Sequence, residues 1–360
     1  MKPSENFNRI AFASFAVLLT IYPMPTTTYQ HSLSTKLPIR AGLIGTGYAA
    51  KLRAETLTAD SRSQLVAVAG RTMGKAVEFS QTYQAEAIAT WQELVAREDI
   101  DLVIVSNINS EHGAIARTAL QAGKHVVVEY PLSLDLKQAE ELIAIATANH
   151  QLLHVEHIEL LGSLHQALRQ NLATIGKPFY ARYSTITPQR PAPQRWTYHP
   201  DLFGFPFVGA LSRIQRFTDL FGSVASVSCQ ARFWGSGEFY QTCICSLQLR
   251  FSSSLVAEVI YGKGENLWEE ERKFTIQGEF GGLIFDGDQG MLVTGREQTP
   301  IDLGSRRGLF AKETGMVLDY LIDGTPLYVT AAASCYALKV ADAARRSAET
   351  GETIFVNYPH

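Results

Sequence analysis

Three small residues, Gly45, Gly47 and Ala50, follow an apolar run in IRAGLIGTGYAAKLRAETL (39–57) and precede a helical pattern. Their spacing is that of a dinucleotide-binding turn, in which the first glycine permits a tight turn and the second lets the backbone approach a pyrophosphate. The N–H groups that open the next helix are then free to bind the anion. We therefore predict dinucleotide binding by the residues of this turn: Gly45, Thr46, Gly47, Tyr48, Ala49 and Ala50.

The end of the second predicted strand, in VAVAGRT (66–72), favours NADP(H) over NAD(H). NAD enzymes place an acidic residue there to hold the ribose 2′-hydroxyl group. Here Arg71 and Thr72 occupy the position, and the first carboxylate is that of Glu78. A guanidinium pairs with a 2′-phosphate, which an acid would repel. We predict that Arg71 and Thr72 contact NADPH, with NADH as the weaker alternative; stacking of Arg71 on the adenine is the other interpretation.

Glu129 and Tyr130 end an apolar run in GKHVVVEYPLS (123–133) whose three valines are typical of a strand covered on both faces. Pro131 holds Tyr130 in an extended conformation. A strand cap followed by a turn would explain these residues. The carboxyl ends of parallel strands form the ligand crevice of α/β sheets, however, so in a parallel sheet both side chains would face an active site.

Strands and helices alternate along the first half of the chain, which predicts a parallel, doubly wound sheet. The predicted strands are 65–69, 87–88, 101–105, 123–128 and 152–157 after the opening one, and the predicted helices are 74–83, 91–97, 112–121 and 136–149. We therefore predict a Rossmann dinucleotide-binding domain at residues 38–158.

The second half has a different pattern, with long strands separated by glycine-rich turns. The predicted strands are 224–234, 242–251, 255–261, 272–277, 282–285 and 291–293, and the predicted helices are 208–221, 310–322 and 331–350. We predict an α+β domain at residues 159–360 with a large, mostly antiparallel sheet that binds the substrate. The fold class is thus α/β, with this second domain appended.

The composition argues against nucleic-acid binding. The chain has 360 residues, 46% of them apolar, and a net charge of −3, which lacks the basic character that nucleic-acid binding needs.

A possible metal site is disfavoured by strand geometry. His154, Glu156, His157 and Glu159 alternate along a predicted strand, which would put only two of them on each face. Two ligands per face make a poor metal site, so we predict no metal.

Residues 1–37 form a separate leader. Lys2 and Arg9 precede an apolar run at 10–21, and prolines and a Thr/Ser-rich stretch follow. This outline resembles a short signal peptide, but the run is too short to span a bilayer as a helix. We favour a disordered leader or an upstream start codon, no stable membrane association and a cytoplasmic location, because the rest of the chain describes an enzyme that needs an intracellular cofactor.

The stretch SNINSEHGAIARTALQAGKHVVVEYP (106–131) resembles the glucose-fructose oxidoreductase/inositol dehydrogenase family. In that family an Asn-rich loop, a histidine opening the next helix and an Ala-Gly-Lys-His step precede a Glu-Lys-Pro strand end. Here Tyr130 replaces the lysine, as in the biliverdin reductase branch of the family. Further blocks extend the resemblance to that branch over residues 38–345: LLHVEHIELL, FYARYSTI, APQRWTYH, FGFP, LSRIQRFTDLFG, EVIYGKGE and GSRRGLF.

The resemblance implies the remaining site residues. The family's sugar dehydrogenases carry Asp-x-Gly-x-His on the helix that faces the nicotinamide, whereas this chain has SRIQRF (212–217). It implies catalytic roles for Arg213, Tyr130 and Glu129, and bilin contacts from Arg195, Trp196, Phe205 and Arg213. It also implies cofactor contacts from Asn107, Asn109, His112 (as a helix cap), Glu129, Tyr130 and His157. For Arg190 and Arg216 we expect solvated charges or structural ion pairs.

The activity implied is NADPH-dependent reduction of biliverdin to bilirubin, with hydride transfer to the central methine carbon and protonation of a pyrrole nitrogen. Arginine titrates above 12, so Arg213 would stabilise charge or relay a proton rather than donate its own. Two alternatives remain: a sugar or inositol dehydrogenase of the same family, and a non-catalytic, dinucleotide-binding regulator.

Overall fold

The computed structural model describes residues 37–304 and 307–356, so the predicted leader lies outside the described residues. These residues form two β-sheets with helices packed against both. Across the two described ranges, no helix has both the length and the apolar character needed to cross a membrane.

The first sheet has six strands in the order β3-β2-β1-β4-β5-β6, and every neighbouring pair is parallel. Its strands are β1 (Ile39–Ile44), β2 (Ser63–Ala69), β3 (Glu86–Ile88), β4 (Leu102–Val105), β5 (His125–Val128) and β6 (Leu153–Val155). The strand order reverses between β1 and β4, and ligands of α/β sheets bind at the carboxyl ends of the strands beside such a reversal. The predicted doubly wound sheet is confirmed.

Eleven α-helices lie within the described residues. They are α1 (Tyr48–Ala59), α2 (Met73–Tyr83), α3 (Trp91–Val95), α4 (Asn109–Gln121), α5 (Leu136–Ala148), α6 (Ser163–Asn171), α7 (Pro200–Phe203), α8 (Pro206–Gly209), α9 (Ser212–Phe221), α10 (Leu309–Asp323) and α11 (Ala331–Thr350). Late in the chain, α10 returns to the first sheet, where Val317 and Leu318 join one buried cluster with Ala54 and Leu57 of α1. Residues far apart in sequence thus pack around the dinucleotide-binding turn.

The second sheet has nine strands in the order β14-β13-β12-β11-β7-β10-β9-β8-β15. They are β7 (Pro178–Pro188), β8 (Val224–Trp234), β9 (Thr242–Phe251), β10 (Val256–Gly264), β11 (Glu271–Gly278), β12 (Gly282–Asp286), β13 (Gln289–Thr294), β14 (Glu297–Ile301) and β15 (Ile354–Phe355). Among the described strands of this sheet, only β7 and β10 pair in parallel, which confirms the mostly antiparallel prediction. α9 packs on this sheet, with the Phe217 and Phe274 rings 5.2 Å apart between centroids.

Some elements differ from the prediction. The predicted helix at 208–221 is two helices, α8 and α9. Strand β14 was not predicted. It lies at a sheet edge and is largely exposed, so its sequence lacks the apolar alternation that identifies a strand. β6 ends at Val155, and a 3₁₀-helix spans Ile158–Leu160. The predicted strand alternation at 154–159 is therefore wrong beyond Val155.

Candidate active site

The turn between β1 and α1 fits a dinucleotide pyrophosphate. Gly45 has a φ of +126°, and a Cβ added there would lie 2.1 Å from the carbonyl oxygen of Ser106, so no larger residue fits. At Gly47 an added Cβ would meet no atom within 4 Å, which leaves this stretch of backbone open to a phosphate. No side chain caps α1, so its first N–H groups are available to an anion.

The end of β2 offers a cation and no acid. Arg71 is exposed and forms no hydrogen bond or ion pair with a described residue, so its guanidinium is available to a ligand. Thr72 caps α2, with its hydroxyl oxygen accepting from the Lys75 N–H group at 3.4 Å. Both residues lie at the same sheet edge as the Gly45 turn.

The three residues predicted after β4 have different surroundings. Asn107 is half-buried at the sheet edge, but the Asn109 side chain is buried and donates to the Phe203 carbonyl oxygen at 3.0 Å. The predicted cap by His112 is wrong, because α4 begins three residues earlier and no side chain caps it. The buried His112 ring contacts the carbonyl oxygens of Pro131 (2.8 Å from Nδ1) and Asn107 (3.3 Å from Nε2). It therefore fixes the turn after β5.

Tyr130, directly after β5, is held by two contacts. Its hydroxyl donates to Glu159 Oε1 at 3.1 Å, and its ring stacks on that of His157 with 5.2 Å between centroids and 2° between planes. Burial, and then the charge of Glu159, raise the pKa of Tyr130 well above its ordinary value. The phenol therefore keeps its proton at neutral pH.

Glu129 belongs to a buried ionic network around Arg53 of α1. Arg53 is 1% exposed and contacts Glu129 Oε1 at 3.2 Å, the carboxylate of Glu313 and the hydroxyl oxygen of Thr314 at 2.9 Å. His154 Nε2 lies 2.6 Å from Glu313 Oε1, without the alignment of a hydrogen bond. The network joins α1, β5, β6 and α10, so it fixes the strand end that carries Tyr130.

Burial sets the protonation states beside this network. It lowers the pKa values of His154 and His157 to about 3, and the charge of Arg53 adds to the effect at His154. Both imidazoles are therefore neutral at pH 7. Burial, and then the charge of Glu129, raise the pKa of Glu156 well above its ordinary value, which favours its protonated form.

A cavity of about 280 Å³ opens beside Tyr130, since Glu159, which accepts its hydrogen bond, also lines it. One wall is the second sheet, where β7 and β11 pair Thr185 with Arg272 on one face, and the other is α9. The lining residues are Glu159, Tyr183, Thr185, Thr187, Ser212, Arg213, Arg216, Glu270, Glu271 and Arg272. A second cavity of about 310 Å³ adjoins it at Arg272.

Arg213 lies in the first turn of α9 and extends over the sheet. Its Nε donates to the Thr185 hydroxyl oxygen at 3.3 Å, and its guanidinium lies 5.0 Å from the centroid of the Tyr261 ring. It has no ion pair with a described residue. A permanent positive charge beside an aromatic ring suits a flat anionic ligand.

The other predicted substrate residues do not line either cavity. Arg195 is exposed and donates to the Thr197 hydroxyl oxygen. The Trp196 ring packs on that of Phe203 with 5.9 Å between centroids. The Phe205 ring packs on that of Phe207 with 6.2 Å between centroids. They lie on the segment between β7 and α9. Their role in substrate binding stays a prediction.

Sequence reasoning did not single out several charged residues at the site, among them Arg53, Glu313, Glu271 and Arg272. A signal existed for Arg53, because it lies on the same face of α1 as Ala50, Ala54 and Leu57, which are all buried. Arg216 was expected to be a solvated charge or a structural ion pair. That expectation is wrong, since Arg216 is 3% exposed and has no ion pair with a described residue.

Comparison with known proteins agrees with both halves of the fold. Residues 39–157 match a family model described as an oxidoreductase family with an NAD-binding Rossmann fold. Residues 169–356 match its companion, the C-terminal alpha/beta domain of the same oxidoreductase family.

Individual proteins are similar to this chain over part or most of its length. The structure of biliverdin reductase from Synechocystis sp. PCC 6803, in complex with biliverdin and NADP+, is 53% identical with a TM-score of 0.85, covering 87% of this chain and 99% of that one. Biliverdin reductase A of Mus musculus is 26% identical over 64% of this chain and 69% of its own length.

UDP-N-acetylglucosamine 3-dehydrogenase of Acidithiobacillus ferrooxidans is 32% identical, over 42% of this chain and about half (47%) of its own length. It is thus matched only in part, whereas the two family regions together span both sheets of this fold. The chain belongs to the Gfo/Idh/MocA oxidoreductase family.

Proposed function

We propose that this chain reduces biliverdin to bilirubin with NADPH, by hydride transfer to the central methine carbon of the bilin. The observation that carries the proposal is the arginine-lined cavity beside Tyr130, at the carboxyl edge of the dinucleotide-binding sheet. Biliverdin is flat and largely apolar, with two propionates, so it matches a cavity that offers aromatic and guanidinium groups. The 53% identity to a biliverdin reductase over nearly its whole length supports the same substrate.

The residues of the chain would orient the reactants and stabilise charge. NADPH, when bound, supplies the hydride. Tyr130 stacks on His157 and reaches the cavity through its hydrogen bond to Glu159, and the raised pKa of Tyr130 keeps its phenol neutral. Arg213 is permanently charged, so it stabilises negative charge on the bilin, while water delivers the proton to the pyrrole nitrogen. Glu129 acts through Arg53, which it helps to hold.

We assign cofactor contacts to the edge of the first sheet. The proposed residues are Gly45, Thr46, Gly47, Tyr48, Ala49, Ala50, Arg71, Thr72, Asn107, Asn109, His112, Glu129, Tyr130 and His157. Of these, Asn109 and His112 would act by fixing neighbouring backbone, since their polar groups already contact the protein. Arg195, Trp196 and Phe205 would contact the bilin only from the outer segment that follows β7.

A sugar dehydrogenase of the same family is less well supported. Tyr130 stands where those enzymes carry their proton-handling lysine, and α9 presents Arg213 and Arg216 instead of an aspartate and a histidine. A neutral sugar leaves these two cations without a partner. The regulator alternative does not account for the cavity.

We further propose a cytoplasmic location, a leader at residues 1–37 and domain boundaries at 38–158 and 159–360. The cytoplasm supplies NADPH, and the first strand begins only at Ile39. Deletion of residues 1–36 should therefore leave reductase activity intact. An inactive or insoluble truncated protein would contradict the proposed leader.

The direct test mixes the full chain with biliverdin and either NADPH or NADH, and follows absorbance. We expect the solution to turn from green to yellow as biliverdin is reduced, and the change to be faster with NADPH than with NADH. Glucose or myo-inositol with NADP+ or NAD+ is the matched control. Turnover of a sugar without turnover of biliverdin would overturn the proposed function.

A further inference from the structure

Arg216, in the second turn of α9, carries a buried charge that forms no ion pair with a described residue. It is 3% exposed and lines the 280 Å³ cavity. Its Nη1 atom is shielded from solvent and has no hydrogen-bond partner, and no described carboxylate lies within ion-pair distance of the guanidinium. A buried cation without a partner is strongly unfavourable, which points to a partner that the free protein lacks.

Two of the acids around it have other partners. Glu271, which lines the same cavity, pairs with Arg182 at 2.9 Å. Asp219, on the same helix as Arg216, lies 2.7 Å from the ring nitrogen of His165. Neither carboxylate therefore balances Arg216, and an anion that enters the cavity would.

Glu159 shows the complementary feature in the same cavity. Its Oε1 accepts from Tyr130, but its Oε2 is buried with no hydrogen-bond partner. The cavity is thus lined by one side chain that lacks an anion and another that lacks a donor. A ligand that carries both a carboxylate and an N–H group satisfies both, whereas a sugar brings no charge to Arg216.

We infer that Arg216 and Glu159 form a substrate subsite, in which Arg216 binds a propionate carboxylate and Glu159 accepts a hydrogen bond from a pyrrole N–H. This subsite rests on the proposed reduction of biliverdin and specifies how the bilin is held. The two propionates of a bilin flank its central methine carbon. A carboxylate on Arg216 therefore sets that carbon near Arg213, one turn earlier on α9.

The first test compares Arg216→Met and Arg216→Lys with the wild type, on biliverdin and on its dimethyl ester. For biliverdin we expect Arg216→Met to raise KM about 10- to 100-fold, as loss of a charge-assisted hydrogen bond does, with kcat nearly unchanged. The KM of Arg216→Lys for biliverdin should lie between those of the wild type and Arg216→Met. The ester has no carboxylate, so its KM should be equal in all three proteins. A wild-type KM for biliverdin in Arg216→Met would overturn the subsite.

The second test separates an anchor from a structural residue. If Arg216 is unpaired in the free protein, Arg216→Met should raise the melting temperature while it weakens biliverdin binding. Arg346→Met is the control, since Arg346 is half-exposed, pairs with Asp342 at 3.1 Å and lies on α11. It should alter neither KM nor, beyond a small shift, the melting temperature. A lower melting temperature for Arg216→Met would assign Arg216 to the fold and refute the anchor.

Glu159→Gln tests the other half of the subsite. The amide keeps the shape and an oxygen for Tyr130 but removes the charge, so KM should rise about threefold or more for both biliverdin and the ester. An unchanged KM for both would refute the N–H contact. A wild-type protein that reduces neither bilin would refute the proposed function itself, whereas unaltered variants of an active enzyme would refute only the subsite.

Discussion

Two buried arginines of this protein have opposite surroundings. Arg53 contacts two carboxylates and a hydroxyl group, and the network around it joins four elements of the fold. Arg216 is almost as buried but has no ion pair within the described residues. A paired buried charge can orient structure, whereas an unpaired one is unfavourable, and a ligand of opposite charge relieves that cost. The difference separates the scaffold of the site from its substrate-binding surface.

The largest expected effect comes from breaking the paired region. Arg53→Met leaves the buried Glu313 and the partly buried Glu129 without their cation, so we expect the free energy of unfolding to fall by about 3–5 kcal/mol. Urea denaturation of the wild type and the variant measures this. The exposed pair provides the contrast, because Arg346→Met should cost no more than about 1 kcal/mol. Equal losses for the two variants would mean that the network does not stabilise the fold.

Removal of the unpaired cation nearest the chemistry should alter catalysis instead of stability. We expect Arg213→Ala to lower kcat about a hundredfold with little change in KM, because the interaction it removes strengthens in the transition state. Tyr130→Phe should lower kcat about tenfold, since a neutral phenol positions rather than protonates. Steady-state kinetics with biliverdin decides. An Arg213→Ala enzyme with normal kcat and raised KM would make Arg213 a substrate anchor like Arg216.

The neutral histidines beside the paired region predict a dependence of stability on pH. With folded-state pKa values of about 3 against an ordinary 6.5, His154 and His157 bind protons only in the unfolded chain between those values. Stability is therefore lost as the pH falls below about 6.5, by about 2 kcal/mol between pH 7 and pH 5.5. Urea denaturation across this range tests it. A His154→Gln/His157→Gln variant with the wild-type slope would contradict the assignment.

Arg71 is a third kind of arginine, unpaired but exposed, so its effect should be the smallest. Arg71→Asp places a carboxylate beside the proposed 2′-phosphate, and we expect it to weaken NADPH binding about tenfold more than NADH binding. Fluorescence titration with each cofactor measures this. Equal losses for both cofactors would remove Arg71 from the 2′-phosphate contact.

Local pattern was enough to predict most elements. Helix α11 lies at 331–350, as predicted, because alanine-rich sequence with a Thr330 cap specifies its own start. The polar edge strand β14 and the break between α8 and α9 were not predicted. They depend on pairing with β13 and on the loop that precedes α9, which the local pattern does not encode.

The sequence by itself determined the dinucleotide-binding turn and the chemistry at the end of β5, because both depend on neighbouring residues. Gly45 is required by its own φ angle and by the close approach of Ser106, and Glu129-Tyr130 follows directly from its strand. Only the tertiary structure decided which arginines are paired. Arg53 pairs with Glu313 across 260 positions of the chain, while Arg216 forms no ion pair among the described residues. Coulomb interactions depend on distance in space, and that distance exists only once the two sheets and α10 have packed together.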